Sequence, residues 1–367
     1  MTSRAAPTAI GKVAACAYRI PTDGPESDGT LCWRDTTLVL VRATAGGVAG
    51  VGYGYSDRAA ALLIADKLAP RVEGQDAMAT QTCWARMAAC VRNLGRPGLC
   101  AQAISAVDTA LWDLKCRLLG VSLADLLGPA REAIPTYGSG GFTNETLPQL
   151  REQVRNWTQA GLAAVKIKIG REPAADAARV EAVRAEAGPG VRVMVDANGA
   201  YARKQALLMA ERFAPMDVCW FEEPVSSDDL DGLRMLRDRA PAGMDIAAGE
   251  YAFDLPYLER MLGAQAVDVL QADATRCGGI TGWLGAAALC EAHGVPLSSH
   301  CAPALHTALC CCARPAVHLE YFKDHERIER LLFDGAPRPA GGRLAPDRGR
   351  PGLGLEFKEK DAQCYLL

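Results

Sequence analysis

The stretch AAVKIKIG, residues 163–170, places three β-branched residues at alternate positions, with Lys166 and Lys168 between them. β-Branched residues at every second position predict a strand, and in a strand the two lysines share one face. An ammonium group is costly to bury without a partner. The stretch therefore predicts a core strand whose lysines meet compensating negative charge.

This stretch is one of eight similar β-rich runs that begin at residue 133 and alternate with alanine-rich segments of helical length. The runs are AIPTYGSGG (133–141), AAVKIKIG (163–170), VRVMVDANG (191–199), VCWFEEPV (218–225), DIAAGE (245–250), AVDVLQAD (266–273), VPLSSH (295–300) and VHLEYF (317–322). Eight strands alternating with helices over roughly 200 residues predict an α/β fold with a closed parallel barrel. An open, doubly wound sheet is the alternative.

The chain on either side of these runs has a different character. TTLVLVRATAGGVAGVGYGYS, residues 36–56, predicts two strands joined at Gly46–Gly47, and three helical stretches follow it. The tail is rich in proline and glycine and predicts irregular structure that packs back on the rest. We expect three parts: an α+β unit over 1–130, the barrel over 131–335, and a returning segment over 336–367.

Composition excludes several classes of protein. The 367 residues carry a net charge of −3, which argues against nucleic acid or an anionic membrane as the main partner. No run approaches the ~20 apolar residues of a membrane span, and residues 1–24 lack the apolar region of an export signal. The fourteen cysteines are scattered and form no C-x-x-C pair, so we expect reduced thiols in the cytoplasm.

Polar residues stand at the carboxyl end of nearly every predicted strand, which is where barrels of this kind have their active sites. In chain order they are Lys166 and Lys168, Asp196 and Asn198, Glu222, Glu250, Asp273, His300 and Glu320. They follow one another at intervals of about one βα unit. We therefore expect consecutive strands to bring these side chains together at one end of the barrel.

Three of these groups are carboxylates on neighbouring strands: Asp196, Glu222 and Glu250. Like charges a few ångströms apart repel strongly, and a divalent cation would relieve the repulsion. Ligand sets made only of oxygen favour Mg²⁺, or Mn²⁺, over zinc. Three carboxylates would leave about half of an octahedral shell open to substrate.

Two candidate bases flank the carboxylates. Lys166 and the cation are expected to lower the pKa of Lys168, so that this lysine accepts a proton near neutral pH. Asp273 is expected to bind His300 and raise its basicity. Two bases beside a metal suit removal of a proton from the carbon next to a carboxylate. Lys166, with Glu320, would stabilise the resulting enediolate, which is either reprotonated with inversion or loses a β-hydroxyl group.

Each signal also has a plain structural interpretation when it is taken alone. A K-x-K pair is usually solvent-facing, and VDANG is a common turn. We expect Glu223, His293 and His306 to be structural, and His318 to be a weak candidate for the site. GGVAGVGYG contains no G-x-G-x-x-G and predicts a hairpin, not a dinucleotide site.

Taken as a set, KIK, VDANG, FEEP, GE, the Asp273–His300 pair and Glu320 resemble the mandelate racemase subgroup of the enolase superfamily, over nearly the whole chain. The resemblance implies a modified (β/α)7β barrel and a capping domain formed by the N-terminal region and the C-terminal tail. It also implies Mg²⁺ and a homo-oligomer. By position it implies roles for nine residues. Asp196, Glu222 and Glu250 would bind the metal, and Lys168 and the pair of His300 with Asp273 would be the acid/base groups. Lys166 and Glu320 would be electrophilic partners. Asn198 would contact either the substrate or the residues that bind the metal.

The subgroup contains racemases, epimerases and acid-sugar dehydratases, so the resemblance leaves the substrate open. The capping domain would choose it, through a predicted loop over residues 21–35 that includes Asp23 and Trp33, together with Tyr55. The polar composition of this loop favours a hydroxylated carboxylate as the small-molecule partner. We therefore expect a sugar-acid dehydratase, with a 2-hydroxy-acid racemase or epimerase and a non-catalytic binding barrel as the alternatives.

Overall fold

The N-terminal unit is a three-stranded antiparallel sheet covered by helices, in a computed structural model that describes residues 8–367. Its strands are β1 (Lys12–Ser27), β2 (Cys32–Ala45) and β3 (Val48–Tyr55). Its helices are α1 (Arg58–Leu63), α2 (Ala69–Val72), α3 (Thr80–Cys90), α4 (Leu99–Leu119) and α5 (Leu123–Leu127), with a π-helical stretch, Ile64–Leu68, between α1 and α2. The predicted pair of strands that meet at Gly46–Gly47 is confirmed. The sequence did not predict β1, because alanine, cysteine and two prolines dilute its β-forming residues.

Helix α4 lies directly on β3 because two glycines allow close contact. A Cβ atom on Gly50 would stand 2.4 Å from the backbone nitrogen of Leu114, and one on Gly52 would stand 2.3 Å from the carbonyl oxygen of Ala106. Any larger residue at these positions would push the helix off the sheet. The glycines therefore fix the position of the longest helix of this unit.

Eight parallel strands follow and close into a barrel, so the predicted fold class is confirmed and the open sheet is wrong. The strands are β4 (Ile134–Gly140), β5 (Ala164–Lys168), β6 (Arg192–Asp196), β7 (Val218–Glu222), β8 (Asp245–Ala248), β9 (Val269–Ala272), β10 (Leu297–Ser299) and β11 (Ala316–Phe322). Closure is made by β11 and β4, which pair from Leu319–Thr136 to Phe322–Ser139. In the register, Lys168 lies opposite Asp196, and Asp196 lies opposite Glu222, so these strand ends are level.

Helices surround the barrel, and the main core lies between them and the strands. They are α6 (Leu147–Gln159), α7 (Pro173–Ala187), α8 (Arg203–Phe213), α9 (Leu230–Arg239), α10 (Leu255–Gly263), α11 (Gly279–His293), α12 (Pro303–Cys312) and α13 (Lys323–Leu332). A smaller apolar layer, including Tyr137, Met194 and Trp220, fills the barrel interior. The interior is thus packed below the mouth, as in other barrels of eight strands.

The C-terminal segment contacts both the barrel and the N-terminal unit. It contains β12 (Phe333–Asp334), β13 (Arg343–Leu344), β14 (Glu356–Phe357) and α14 (Glu359–Ala362). β13 pairs with β4, and β14 pairs with β12. Arg117 of α4 binds Glu356, with 2.6 Å between Nη1 and Oε1. These contacts fit the expected return of the tail, whereas the exact bounds 1–130, 131–335 and 336–367 stay a prediction.

The segment 21–35, predicted as a loop, is the end of a β-hairpin. The pairing of β1 with β2 reaches Pro21–Asp35, shifts over an irregular stretch, and resumes at Glu26–Trp33. The tip is closed by Asp28, whose Oδ1 accepts hydrogen bonds from the backbone of Thr30 and Leu31. Its prolines and glycines are those of a loop, but the shift in register accommodates them within a strand pair. A paired hairpin end therefore stands where a loop was expected.

Among the described residues, no helix combines the length and the apolar character that a membrane crossing requires. All fourteen cysteines lie within the described residues and are free thiols. Residues 1–7, part of the segment inspected for an export signal, lie outside the described residues.

Candidate active site

The two lysines of β5 are buried beside the carboxylates that the sequence predicted for them. Lys166 Nζ lies 2.7 Å from both carboxylate oxygens of Glu222 and 2.8 Å from Oε1 of Glu320. Lys168 donates a hydrogen bond to Oδ2 of Asp196. Each ammonium group is therefore paired, which offsets the cost of removing it from water.

Asp196, Glu222 and Glu250 form a cluster that fits a single divalent cation. One carboxylate oxygen from each lies within 4.8 Å of the others, and all three residues are buried. Oε2 of Glu250 is buried without a hydrogen-bond partner in the structure. A hard cation is the group that such an oxygen set and such an unpartnered atom accommodate.

The electrostatics of the cluster favour the same conclusion. Burial, and then the neighbouring Asp196, raise the pKa of Glu222 to about 8, although Lys166 opposes this. Burial and the nearby Glu250 likewise raise the pKa of Glu223 well above its usual range. So many carboxylates cannot all be ionised in one buried place unless further positive charge is present.

The pKa of Lys168 departs from the sequence-based expectation. Burial favours the neutral amine, and Lys166 also lowers the pKa, as expected. The Asp196 carboxylate, with Glu250 and Glu222, outweighs both and raises the pKa of Lys168 above its ordinary value. The sequence showed that Lys166 lies near Lys168, but it did not show how closely the Asp196 carboxylate would approach Lys168.

His300 follows β10 and is held by the side chain of Asp273, which follows β9. Its Nδ1 lies 2.8 Å from Oδ2 of Asp273, whose other oxygen accepts the backbone N–H of Thr275 at 2.7 Å. Burial lowers the pKa of His300, but Glu250 and Asp273 raise it more, so the net shift is upward. The expected pair of Asp273 and His300 is thus formed, and it leaves Nε2 on the side of Glu250, 3.6 Å from its Oε2.

Glu320, on β11, completes the barrel side of the site. Its Oε1 forms an ion pair with Lys166 Nζ at 2.8 Å, and its Oε2 accepts a hydrogen bond from the backbone N–H of Cys301 at 2.7 Å. Burial opposes ionisation, but Lys166 and His300 hold the pKa of Glu320 well below its usual range. Glu320 and Lys166 are both buried beneath the cavity and do not line it.

Unusual backbone conformations cluster just after these strand ends. Non-glycine residues adopt positive φ at Asn198 (47°), Glu223 (36°), Cys301 (51°) and Ala302 (39°). Gly249, before Glu250, has φ 137°, and a Cβ there would stand 2.0 Å from the carbonyl oxygen of Gln271. Strained backbone is concentrated where side chains must be held for function.

A cavity of about 450 Å³ opens above the strand ends, between the barrel and the hairpin. Lys168, Asn198, Glu250 and His300 line it from the barrel side. Another cavity, of about 430 Å³, lies between the tail and the barrel and is lined by none of the predicted site residues. The first cavity is therefore the candidate active site.

The structure places two of the three predicted cap residues at this cavity. Trp33 lines it and donates from Nε1 to Oε2 of Glu26 at 2.8 Å. Tyr55 lines it and stacks on the ring of His325, with 3.4 Å between centroids. Asp23 does not reach the cavity: it is exposed on the outer part of the hairpin, 3.8 Å from Arg327.

Sequence reasoning missed several residues that line the cavity. Arg276 lies in the loop after β9, with Nη1 3.4 Å from Oε1 of Glu250 and Nε 3.7 Å from Asp273. Tyr251, His325 and Cys301 also line the cavity. Arg276 and Tyr251 were accessible to sequence reasoning, because each follows a predicted strand-end residue by at most three positions.

The remaining histidines named from the sequence lie away from the cavity. His306 receives the backbone N–H of Ala274 at Nε2 and faces the Cys301 carbonyl at Nδ1, which is a structural role, as expected. His318 faces the barrel interior, where its Nδ1 lies 2.8 Å from Ser298 Oγ. His293 is on the surface beside Glu259.

Comparisons with known proteins agree with this geometry. The family model "Enolase C-terminal domain-like" matches residues 149–361, and "Mandelate racemase / muconate lactonizing enzyme, N-terminal domain" matches residues 21–128. The chain is 33% identical to L-talarate/galactarate dehydratase of Salmonella typhimurium over 319 residues, which cover 86% of this chain and 78% of that protein.

Two crystal structures illustrate the similarity of fold. A mandelate racemase/muconate lactonizing enzyme-like protein from Rubrobacter xylanophilus superposes with a TM-score of 0.96 at 53% identity, over 98% of this chain and 100% of the other. A racemase from Streptomyces coelicolor, solved with bound magnesium, superposes with a TM-score of 0.92 at 29% identity, over the same shares of the two chains.

Proposed function

Since the chain belongs to the mandelate racemase/muconate lactonizing enzyme family of the enolase superfamily, we propose that it is a Mg²⁺-dependent enzyme acting on a hydroxylated carboxylate. The reaction would begin with removal of the proton on the carbon next to the carboxylate. It would end with loss of water, giving a 2-keto-3-deoxy acid from a sugar acid. The proposal makes the protein a hydro-lyase.

One observation carries the proposal: two basic groups and the carboxylate cluster meet at a single cavity. Lys168 and His300 both line the cavity, as does Glu250 of the cluster. A module that only bound an acid would have no use for the Asp273–His300 pair, in which a buried carboxylate fixes one nitrogen of the ring. The arrangement favours proton transfer over simple binding.

The residues of the chain divide the reaction between them. When bound at Asp196, Glu222 and Glu250, the cation supplies positive charge that holds the substrate carboxylate and favours loss of the α-proton. Lys168 Nζ and His300 Nε2 are the two groups positioned to accept that proton, one for each configuration of the carbon. A cation held by Asp196 would compete with Lys168 for that carboxylate and so lower the pKa of the lysine, which otherwise keeps its proton. Lys166 keeps a positive charge beneath the site through its pairs with Glu222 and Glu320.

Dehydration then requires an acid. The C3–O bond breaks as protonated His300 donates to the departing hydroxyl group, and the enol that remains becomes the keto acid. The similarity to a talarate/galactarate dehydratase supports this outcome. Hydroxyl-bearing and carboxylate residues on the cap side of the cavity, among them Asp35, Thr36 and Ser56, also favour a polyhydroxylated substrate.

Racemisation or epimerisation of a 2-hydroxy acid is the second candidate. Two bases at one cavity also suit proton removal on one face and return on the other, and the similarity to a racemase supports it. The two reactions share the first step and differ in the fate of the hydroxyl group at C3.

The test is an incubation of the enzyme and Mg²⁺ with a library of sugar acids and simpler 2-hydroxy acids. Formation of a semicarbazide-reactive keto acid from at least one sugar acid is the expected result. Exchange of the α-proton with D₂O but no keto product throughout the library would replace dehydration by racemisation. Neither product nor exchange would leave the binding barrel as the surviving interpretation.

We propose in addition that the enzyme is cytoplasmic and a homo-oligomer. The fourteen free thiols support a reducing compartment. Membership of this family, whose members frequently form homo-oligomers, supports contacts between copies. Light scattering on the purified protein would test the assembly, and a monomeric mass would reject it.

A further inference from the structure

The positive charges that line the cavity are concentrated on its barrel side. The lining contains Lys168, Arg276 and the ring of His300, and all three come from strand ends or the loops that follow them. Each faces an anionic partner: Lys168 faces Asp196, Arg276 faces Glu250, and His300 faces Asp273. This side of the cavity is where the substrate carboxylate is expected.

The wall made by the hairpin and the start of α13 carries negatively charged side chains instead of positively charged ones. Asp28, Asp35 and Asp324 line it. Asp35 lies 3.6 Å from Arg19, and Asp324 lies 2.6 Å from Arg327, but neither arginine lines the cavity. The cap wall, defined as these three aspartates with Thr36 and Ser56, therefore offers the cavity no cation.

The hydroxyl groups of Thr36 and Ser56 in the cap wall already donate hydrogen bonds to other side chains. Thr36 Oγ1 donates to Oδ2 of Asp324 at 2.5 Å, and Ser56 Oγ donates to Oε1 of Gln102 at 2.7 Å. What the wall presents is therefore a set of acceptors. A sugar hydroxyl group can donate to such acceptors, whereas an ionised carboxylate can only accept.

From this asymmetry we infer that the cavity selects monocarboxylic sugar acids (aldonates) over dicarboxylic ones (aldarates). The inference rests on the proposed function and narrows its substrate class. The single carboxylate of an aldonate is held at the strand ends, and its hydroxyl groups donate to the cap wall. The second carboxylate of an aldarate would meet Asp35 and Asp324 with no cationic side chain of the cap wall to receive it, and like charges brought together in an interface are strongly unfavourable.

The experiment compares pairs of acids that share the configuration of C2 to C5 and differ only at C6: gluconate with glucarate, galactonate with galactarate, and mannonate with mannarate. The value of kcat/KM for keto-acid formation is measured with the Mg²⁺-loaded enzyme. For the pair that contains the best substrate, we expect the aldonate to exceed the aldarate by at least about tenfold. Equal values, or a preference for the aldarate, would overturn the inference and leave the proposed dehydration standing.

Two substitutions on the same hairpin test whether charge is the cause. Asp35→Lys places a cation at the cap wall and should lower the aldonate-to-aldarate ratio by about tenfold, with Asp35→Asn giving a smaller decrease. Asp23→Lys makes the same change in charge on the same strand pair, outside the cavity, and should leave the ratio unchanged. Equal effects of the two lysine variants would contradict the assignment of the cap wall.

Failure of the proposed function would have a different signature. Absence of keto-acid formation from every aldonate and every aldarate would reject dehydration, and the inference with it. By contrast, an aldonate-to-aldarate ratio that changes with the charge at residue 35 but not with the charge at residue 23 supports both the proposed dehydration and the inferred selectivity.

Discussion

His300 has two partners that give its two nitrogens different tasks. Asp273 holds Nδ1 at 2.8 Å, whereas Nε2 lies 3.3 Å from Cys301 Sγ and is the nitrogen that can exchange a proton with a substrate in the cavity. Lys168 reaches the same cavity from β5. The two groups reach the cavity from different strands, so removal of one should expose the action of the other.

We predict that His300→Asn lowers kcat for dehydration by at least about 1,000-fold, because the departing hydroxyl group loses its acid. Exchange of the α-proton through Lys168 should survive for substrates of one configuration, and NMR in D₂O measures it. His293→Asn, on the surface beside Glu259, is the matched control and should keep full activity. Undiminished dehydration by the His300 variant would mean that the acid is another residue.

Glu222 contributes an oxygen to the carboxylate cluster, and both of its oxygens accept hydrogen bonds from Lys166 at 2.7 Å. Glu222→Gln removes one negative charge from the cluster and should weaken Mn²⁺ binding by at least about 100-fold, with a parallel loss of activity. Titration followed by Mn²⁺ electron paramagnetic resonance measures the affinity. Glu211→Gln, an exposed change on α8, is the control. An unchanged affinity would exclude Glu222 as a ligand.

Helix α4 of the N-terminal unit also caps a helix of the barrel. Ser105 Oγ accepts the backbone N–H groups of Gly278 and Gly279, each at 2.9 Å, and Asp108 accepts the N–H of Thr281 at 2.9 Å. These donors belong to the start of α11, where backbone N–H groups lack partners within the helix. One helix therefore ties the two units together.

We predict that Ser105→Ala lowers the free energy of unfolding by about 2 kcal/mol, because two buried N–H groups lose their acceptor. Urea denaturation followed by circular dichroism measures the change. Thr158→Ala removes an exposed hydroxyl group at the end of α6 and should stay within about 0.5 kcal/mol of the wild type. Equal effects of the two variants would show that α4 does not anchor α11.

Sequence alone predicted the elements that repeat and missed those that depend on distant partners. β5 to β8 were predictable because apolar alternation and a polar strand end coincide in runs such as VRVMVDANG. The hairpin end at 21–35 was not, because its strand character comes from pairing and from contacts such as Thr143 N–H to the Ser27 carbonyl at 2.8 Å. His325 was missed because only the fold brings the start of α13 over the cavity.

Several buried carboxyl groups lie along the seam between the N-terminal unit and the barrel. Glu329 of α13 accepts hydrogen bonds from Tyr53 of β3 at 2.6 Å and from the backbone of Ala304 at 2.9 Å. Burial raises the pKa of Glu329 and of Glu26 to about 8, and that of Asp108 to about 7. These groups are protonated more readily in the folded protein than in the unfolded chain.

A pKa raised by folding favours the folded state at low pH. The contribution of Glu329 is complete below the usual pKa of an exposed glutamate, 4.5, and is lost as pH rises through about 8. We predict that the free energy of unfolding decreases as the pH rises from about 5 to about 9. In Glu329→Gln, which mimics the neutral form, the free energy of unfolding should decrease less steeply over the same range. Urea midpoints at the two pH values measure this, with Glu181→Gln on the exposed face of α7 as the control. Identical slopes for the wild type and Glu329→Gln would show that Glu329 is not buried as a neutral acid.

The proposed activity of the whole molecule depends on one spatial fact: the barrel strands deliver three carboxylates and two bases to one place. A crystal structure of the protein soaked with Mn²⁺, with anomalous diffraction data, tests this most directly. We predict one strong anomalous peak about 2.1 Å from an oxygen atom of each of Asp196, Glu222 and Glu250. The absence of a peak among these three residues, or a peak bound by other side chains, would contradict the account.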